Sequence, residues 1–328
     1  MKIKSLKIDN FKTLLNFELT EPNPFSVFVG ANGVGKSNIF EALEYFYLNC
    51  LNNNSSHTDE LFGGYKTFQN FNSLKKPFFM QLNSFDNESL TFKREFGYEN
   101  EYSGSLFTRQ LFPQNTKLEI NFTNNFSRIF PTTKEANKLN LSSSDKKLNF
   151  NCDNLENVLR RILEDPIKSL EIKEWLNLLR PGFRDIKVEK SDLSENAFIQ
   201  IYEEGYEKPF GKNLISDGTY NILCLLTAIY QTDEPQFLCI EEPENGLNPY
   251  VIKELVTFFR EQCKEKGHYI WLNTHSQTLV NQLQPEEIII INKQNGITVP
   301  KQIKNKNMHG LPMDEAWLTN VLGGGVPW

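Results

Sequence analysis

Residues Val27 to Asn38 read VFVGANGVGKSN. Within them, Gly30 to Ser37 fit the pattern G-x-x-x-x-G-K-[ST], a loop whose successive backbone N–H groups turn inward around phosphate oxygens. The flanks fit the same reading. SVFVG leads in as a short buried strand and NIFEALEYFYL leads out with helical spacing, so the loop opens a helix whose N-terminus adds partial positive charge. Gly30, Ala31, Asn32, Gly33, Val34, Gly35, Lys36, Ser37 and Asn38 are therefore the candidate phosphate-binding residues. Lys36 is expected on the β and γ phosphates and Ser37 on a magnesium ion.

A bound nucleotide can serve many machines, and composition narrows them. The chain has 328 residues, 39% of them hydrophobic, enough for one large or two ordinary domains with real cores. Five cysteines are scattered without a C-x-x-C pair, which predicts a reducing cytoplasm and no zinc site. The start, MKIKSLKIDNFKTLL, is a broken apolar pattern, not a signal peptide, and no apolar run approaches the roughly 20 residues that span a bilayer. A soluble cytoplasmic protein without a membrane partner is expected. The formal net charge of −6 argues against a surface coated in basic residues for nucleic acid. One stretch differs: Ile288 to Met313 holds no acidic residue but contains Lys293, Lys301, Lys304 and Lys306. A solvated lysine face and a contact to a nucleic-acid backbone both remain open.

Along the chain, KIKSLKIDNF alternates as a strand with LNFEL as its hairpin partner. Residues 52 to 76 look like an irregular surface loop, and PFFMQLNSF, SLTFKREF and KLEINF read as meandering strands. From Phe126 to Pro181 the pattern becomes helical, LENVLRRILEDPIKSL being interrupted at Pro166. This stretch has no sustained heptad and cannot hold a long coiled-coil arm. DIKVEK and AFIQIYEEG resume strands. ISDGTYNILCLLTAIYQ starts a helix behind a cap, QFLCIEE is a buried strand, Asn248 and Pro249 open the helix YVIKELVTFFREQCKEK, and Gly267 closes it. YIWLNTHS is a strand, and EEIIIINKQNGITV is a hairpin turning at Asn295 and Gly296. Strands alternating with helices in this half imply a parallel core sheet.

Three further elements carry chemistry. FLCIEEPENGLNP brings Glu241 and Glu242 to the end of a strand, beside the glycine loop if the sheet is parallel. There one carboxylate can order magnesium and the other accept a proton from the attacking water; a solvated acidic turn is the plain alternative. His275 leaves YIWLN at the same sheet edge as a γ-phosphate sensor or a structural histidine. Ser216, Asp217, Gly218 and Thr219 begin a helix, where Ser and Asp are ordinary N-caps.

The order of glycine loop, capped small-residue helix, double carboxylate and histidine resembles the ABC-type ATPases. KIDNFKTL, GANGVGKSN and EEPENGLNP are similar to the SMC, RecF and OLD branch, with SDGT where transporters carry Leu-Ser-Gly-Gly-Gln. The resemblance covers roughly residues 1 to 95 and 183 to 292. It implies an α/β P-loop head with a parallel core sheet, an antiparallel β subdomain and a short, mostly helical insertion. The expected divisions are an N-terminal lobe at 1–125, the insertion at 126–182 and a C-terminal lobe at 183–328. The implied cofactors are ATP and Mg2+, with Glu242, His275 and Lys36 catalytic, and Ser37 and Glu241 on the metal. Asn10 and Lys12 would lie near the nucleotide, although a plain surface strand explains them equally. Three features depart from the family pattern. Glu241 replaces the usual Asp, Asp217 takes a position often held by glycine, and the glutamine that follows the first helix is either Gln69 or Gln81.

In this branch two heads sandwich two ATP molecules, so Ser216, Asp217 and Gly218 would reach the nucleotide of a second copy. ATP then joins the dimer and hydrolysis releases it, each charge-assisted hydrogen bond to the γ-phosphate contributing about 1.5 to 3 kcal/mol. No nuclease constellation appears in the chain, which implies a separate effector such as a nuclease. The ending DEAWLTNVLGGGVPW resembles short ATPases of bacterial defence loci that pair with such effectors; a strand and turn completing the fold is the competing account. The expected function is an ATP-hydrolysing switch that gates an effector in anti-phage defence. An ATP-holding scaffold or inhibitor and a RecF-like DNA repair ATPase are the alternatives.

Overall fold

The apolar runs around the glycine loop all become strands of one sheet. The computed structural model describes residues 2–51, 55–70, 77–98, 106–111, 116–131, 145–190, 197–304, 310–319 and 321–322. The chain begins with β1 (Ile3–Asp9), β2 (Phe17–Thr20), β3 (Phe25–Val29), α1 (Lys36–Leu51), α2 (Ser55–Leu61) and α3 (Tyr65–Phe68). Then come β4 (Phe78–Ser84), β5 (Ser89–Tyr98), β6 (Leu106–Leu111), α4 (Lys117–Asn125) and β7 (Phe126–Ile129). The second half holds α5 (Leu155–Leu163), α6 (Pro166–Leu179), β8 (Phe183–Lys190), β9 (Ala197–Glu203), β10 (Phe210–Gly211), α7 (Asp217–Tyr230) and β11 (Phe237–Glu241). It ends with α8 (Pro249–Lys266), β12 (Tyr269–Thr274), α9 (Gln277–Val280), β13 (Ile288–Gln294), β14 (Ile297–Gln302) and α10 (Met313–Leu318).

The core sheet runs β14-β13-β3-β12-β11-β7, parallel except for β14 at one edge. Its inner strands β3, β11 and β12 are buried on both faces, as strands of parallel sheets are. Val27, Val29, Leu238, Ile240, Ile270 and Leu272 pack with α5, α7 and α8 on one side. Their neighbours Phe28, Phe237, Cys239 and Trp271 pack with α1 and the antiparallel sheet on the other. This period of two decides which side chains share a face at the site. The antiparallel sheet has the order β2-β1-β4-β5-β6, and a small sheet the order β10-β9-β8. Helix α7 is buried all along Gly218–Tyr230, as an apolar helix in the middle of a domain must be.

The fold class matches the expectation, and three local readings change. KLEINF forms most of α4, not a strand: Thr116 caps it and its buried residues are Leu118 and Phe122, a helical spacing of four. Phe126–Ile129, read with the helical stretch, is a strand of the core sheet beside β11, so the insertion begins after it. Residues 52–76 contain α2, α3 and the buried Asp59, Phe68, Gln69 and Asn70, where an irregular surface loop was expected. The helical stretch is interrupted at Pro166 as expected: α5 ends at Leu163, and Pro166 opens α6 behind the Asp165 cap. Four of the five free cysteines are buried. Among the described residues no helix is long and apolar enough to cross a membrane.

Candidate nucleotide site

Helix α1 starts directly from the glycine loop, which places Lys36 and Ser37 in its first turn. Lys36 Nζ donates to the carbonyls of Gly30 (2.8 Å) and Ala31 (3.0 Å) and lies 3.4 Å from His275 Nδ1. Burial lowers its pKa to about 8, against the pull of Glu242, Glu241 and Glu244. The loop is braced from behind. Thr298 Oγ1 donates to Val34 O (2.7 Å) and Asn38 Nδ2 to Thr13 Oγ1 (2.7 Å), while the two threonine hydroxyls lie 2.6 Å apart. Lys293 Nζ donates to Gly33 O at 3.3 Å.

β11 lies next but one to β3, with β12 between them, so parallel pairing brings Glu241, Asn273 and the loop to the same end of the sheet. Ser37 Oγ donates to Glu241 Oε2 at 2.7 Å, and Asn273 Nδ2 donates to the same oxygen at 3.1 Å. Burial opposes ionisation of Glu241, but Arg128, Ser37 and Asn273 together hold its carboxyl below the usual carboxylate range. Two hard oxygens this close suit a magnesium ion, which takes one or two protein oxygens and fills the rest of its octahedron with phosphates and water. The donor set therefore fits such an ion, which Ser37 and Glu241 would hold. Among the described residues no group of three or more His, Cys, Asp or Glu forms a separate metal cage.

Glu242 turns away from Glu241 because its φ is +45°, an uncommon conformation for a non-glycine residue and one that concentrates at functional sites. Its carboxylate stays partly open: Oε2 accepts from Asn245 Nδ2 (3.0 Å) and Oε1 lies 3.8 Å from His275 Nε2. Burial and the nearby Lys36 lower the pKa of His275, favouring the neutral ring. Glu244 accepts from Thr274 Oγ1 and from the His275 backbone N–H and so fixes the strand end that carries the histidine.

Lys36, Ser37, Glu241, Glu242 and His275 thus converge. Ser216, Asp217 and Gly218 do not join them within the chain. Ser216 caps α7 by accepting from Thr219 N at 3.2 Å, and Asp217, the other candidate cap, is the first helical residue. Both are exposed. A Cβ on Gly218 would collide with Gly246 O, so the start of α7 packs tightly on the loop after β11. Asn10 and Lys12 have φ of +60° and +48°. Lys12 Nζ pairs with Glu41 and its backbone N–H donates to Phe68 O at 2.5 Å.

The two glutamines separate clearly. Gln81 lies in the antiparallel sheet and donates to Ser89 and Thr91. Gln69 is buried beside the Lys12 segment, and its amide has no partner among the described residues. Arg128, which bonds Glu241 and Glu44 from β7, carries no signal in the sequence: an arginine in FSRI gives no local sign of a carboxylate 113 residues away. Of the lysine stretch, Lys301 and Lys304 donate to the carbonyls of Leu322, Thr20 and Glu21. Lys306 and the Gly323–Trp328 tail lie outside the described residues.

This fold and site define the ABC-type ATPase class. The chain belongs to the family described as "AAA domain, putative AbiEii toxin, Type IV TA system", whose pattern matches residues 25–281. It has the fold of SMC heads. The SMC head domain from Thermotoga maritima matches with a TM-score of 0.53 at 14% identity, over 93% of this chain and 100% of that one. An SmcHead bound to the C-winged helix domain of ScpA gives 0.60 at 18% identity, over 95% and 100%. The Smc head with an extended coiled coil, bound to the C-terminal domain of ScpA derived from Pyrococcus furiosus, gives 0.58 at 12% identity, over 98% of each chain. No curated protein matches the chain.

Proposed function

We propose that this chain is an ATP hydrolase that works as a switch, closing as a homodimer around ATP and gating a separate effector protein in defence against phage or foreign DNA. The observation that carries the hydrolase is the division of labour between adjacent carboxylates. Both oxygens of Glu241 are engaged, by Arg128 on one side and by Ser37 and Asn273 on the other. Among the described residues Glu242 forms no ion pair with an arginine or lysine and faces His275, which leaves it able to accept a proton from water. Lys36 then meets the β and γ phosphates, and Ser37 and Glu241 hold magnesium. Gln69, buried beside Lys12 with its amide unpaired among the described residues, is the glutamine of this site; Asn10 and Lys12 flank the nucleotide.

The exposed Ser216, which caps α7, and Asp217, its first residue, make no hydrogen bond to their own phosphate loop among the described residues, which supports a role across a dimer interface. The family description names a toxin system, and two of the similar solved heads carry a bound ScpA domain. Both favour action through a partner. Steady-state phosphate release by the purified protein, with light scattering of Glu242→Gln in ATP, tests the proposal. Hydrolysis by the parent and an ATP-dependent dimer of the variant are expected. A parent that binds ATP and releases no phosphate refutes the hydrolase in favour of the scaffold, and a variant that stays monomeric refutes the sandwich. Co-purification with proteins encoded beside it tests the effector.

A further inference from the structure

Arg128 enters the site from an edge strand. It stands directly opposite Cys239 in the β7–β11 ladder, so its side chain shares a face with Cys239 and, two residues on, with Glu241. That is the face on which α1 packs, and α1 supplies Glu41 and Glu44. The guanidinium is almost wholly buried, 7% exposed, against 8% for Glu241. Nε donates to Glu241 Oε1 at 2.7 Å, Nη2 donates to the same oxygen, and Nη1 donates to Glu44 Oε2 at 2.6 Å. Nη2 is also 3.8 Å from Glu41 Oε1, whose partner Oε2 is held by Lys12. The Phe150 ring, 4.6 Å from the guanidinium carbon, covers its flat face.

The carboxylate of Glu241 is thereby divided. Oε1 belongs to the arginine and Oε2 to Ser37 and Asn273. A glutamate arm has one more rotatable bond than an aspartate, and a buried fork that takes one oxygen by two donors fixes that bond and aims the other oxygen at Ser37. The same contact cancels the charge. Affinity for a hard divalent cation rises with the negative charge of its ligands. Before nucleotide arrives, the corner offers a neutral hydroxyl and a carboxylate already matched by a guanidinium.

We propose that Arg128 is a positioning residue of the magnesium corner: it aims and neutralises Glu241, so that the corner holds no divalent cation by itself and takes one only with the nucleotide's phosphates. This rests on the nucleotide-site assignment above. It makes the ion's arrival conditional on the triphosphate and excludes an idle metal-loaded head.

Mn2+ binding, followed by electron paramagnetic resonance, tests it without reference to turnover. The parent should retain no Mn2+ alone and retain it with a non-hydrolysable ATP analogue. Arg128→Gln should bind Mn2+ without nucleotide, its affinity rising at least about tenfold as the ligand charge is uncovered. Arg128→Lys, which keeps the charge, should return toward the parent, and adding Glu241→Gln to Arg128→Gln should abolish the new binding. Because a lone neutral residue beside two buried carboxylates can unfold the head, Arg128→Gln with Glu44→Gln removes one charge of each sign and carries the same expectation. Binding of a fluorescent ATP analogue in chelator reports that the phosphate loop is intact. A folded neutral variant that holds no Mn2+ without nucleotide, or a parent that holds it unaided, overturns the proposal. A parent that binds the analogue in chelator yet takes no Mn2+ with it refutes the magnesium assignment itself.

Discussion

Alanine substitution at the three glycines of the phosphate loop should give three different costs, because each glycine is required for a different reason. At Gly33 φ is +76° and a new Cβ meets nothing within 4 Å. Only the left-handed backbone is penalised, by about 1–2 kcal/mol. Gly30 has no such conformation, but its Cβ would lie closer than 3.0 Å to Ile291 O. That atom is backbone of a central strand and cannot rotate away, so the overpacking cost is about 1–3 kcal/mol. Gly35 combines both, with φ +100° and a Cβ overlapping the hydroxyls of Thr298 and Thr13, for a sum of about 2–5 kcal/mol. An unfolding entropy of about 2.1 cal/mol/K per residue makes each kcal/mol worth about 1.5 °C in a chain of 328 residues. Melting at one scan rate should therefore fall by about 2 °C for Gly33→Ala and by about 3–7 °C for Gly35→Ala, with Gly30→Ala between. If Gly33→Ala melts as low as Gly35→Ala, the threonine brace does not press on the loop and the reasoning fails.

Lys36→Ala should abolish nucleotide binding while circular dichroism stays that of the parent; hydrolysis at the parent rate would sink the phosphate-loop assignment. Glu242→Gln keeps size and hydrogen bonding but cannot accept a proton, so turnover should fall by about 10² to 10⁴ with ATP affinity retained; the same result from Glu241→Gln alone would reverse the two roles. Glu241→Ala leaves the Arg128 guanidinium buried without its main partner and should destabilise by about 3 kcal/mol, the low end for a broken buried pair because Glu44 remains. Chemical denaturation measures it, and a loss indistinguishable from zero would mean that the pair does not form. Burial lowers the pKa of His268 to about 4 from the usual 6.5, so the unfolded chain binds more protons between these values. Stability from this residue is complete above pH 6.5 and disappears as pH falls toward 4, by about 3 kcal/mol at 1.36 per unit. His268→Gln should flatten the dependence of melting on pH in that window, and an unchanged slope would refute the assignment.

Much of the site was legible because its signals are local. The glycine loop is a contiguous pattern between an apolar run and a helical one, and its function follows from backbone N–H groups that adjacent residues supply. The caps at Ser216 and Asn248 are set by a side chain and an N–H three residues on, so they too can be read in one dimension. The errors came where local evidence was balanced. KLEINF alternates well enough for a strand, and only the packing of Leu118 and Phe122 selects the helix. Gln69 and Gln81 look alike in the chain and differ only in what surrounds them.

The sequence by itself determined the parallel α/β head, the phosphate loop and the order of the carboxylates and the histidine, since hydrophobic period and turn chemistry act over a few residues. Only the tertiary structure decided that FSRI is a strand beside β11, that Arg128 shares Glu241 with Ser37, and that Thr13 and Thr298 brace the loop from opposite ends of the chain. Those contacts join residues 111 to 285 positions apart. Their energies depend on distance and burial in the folded sheet, and neither quantity exists until the strands have paired.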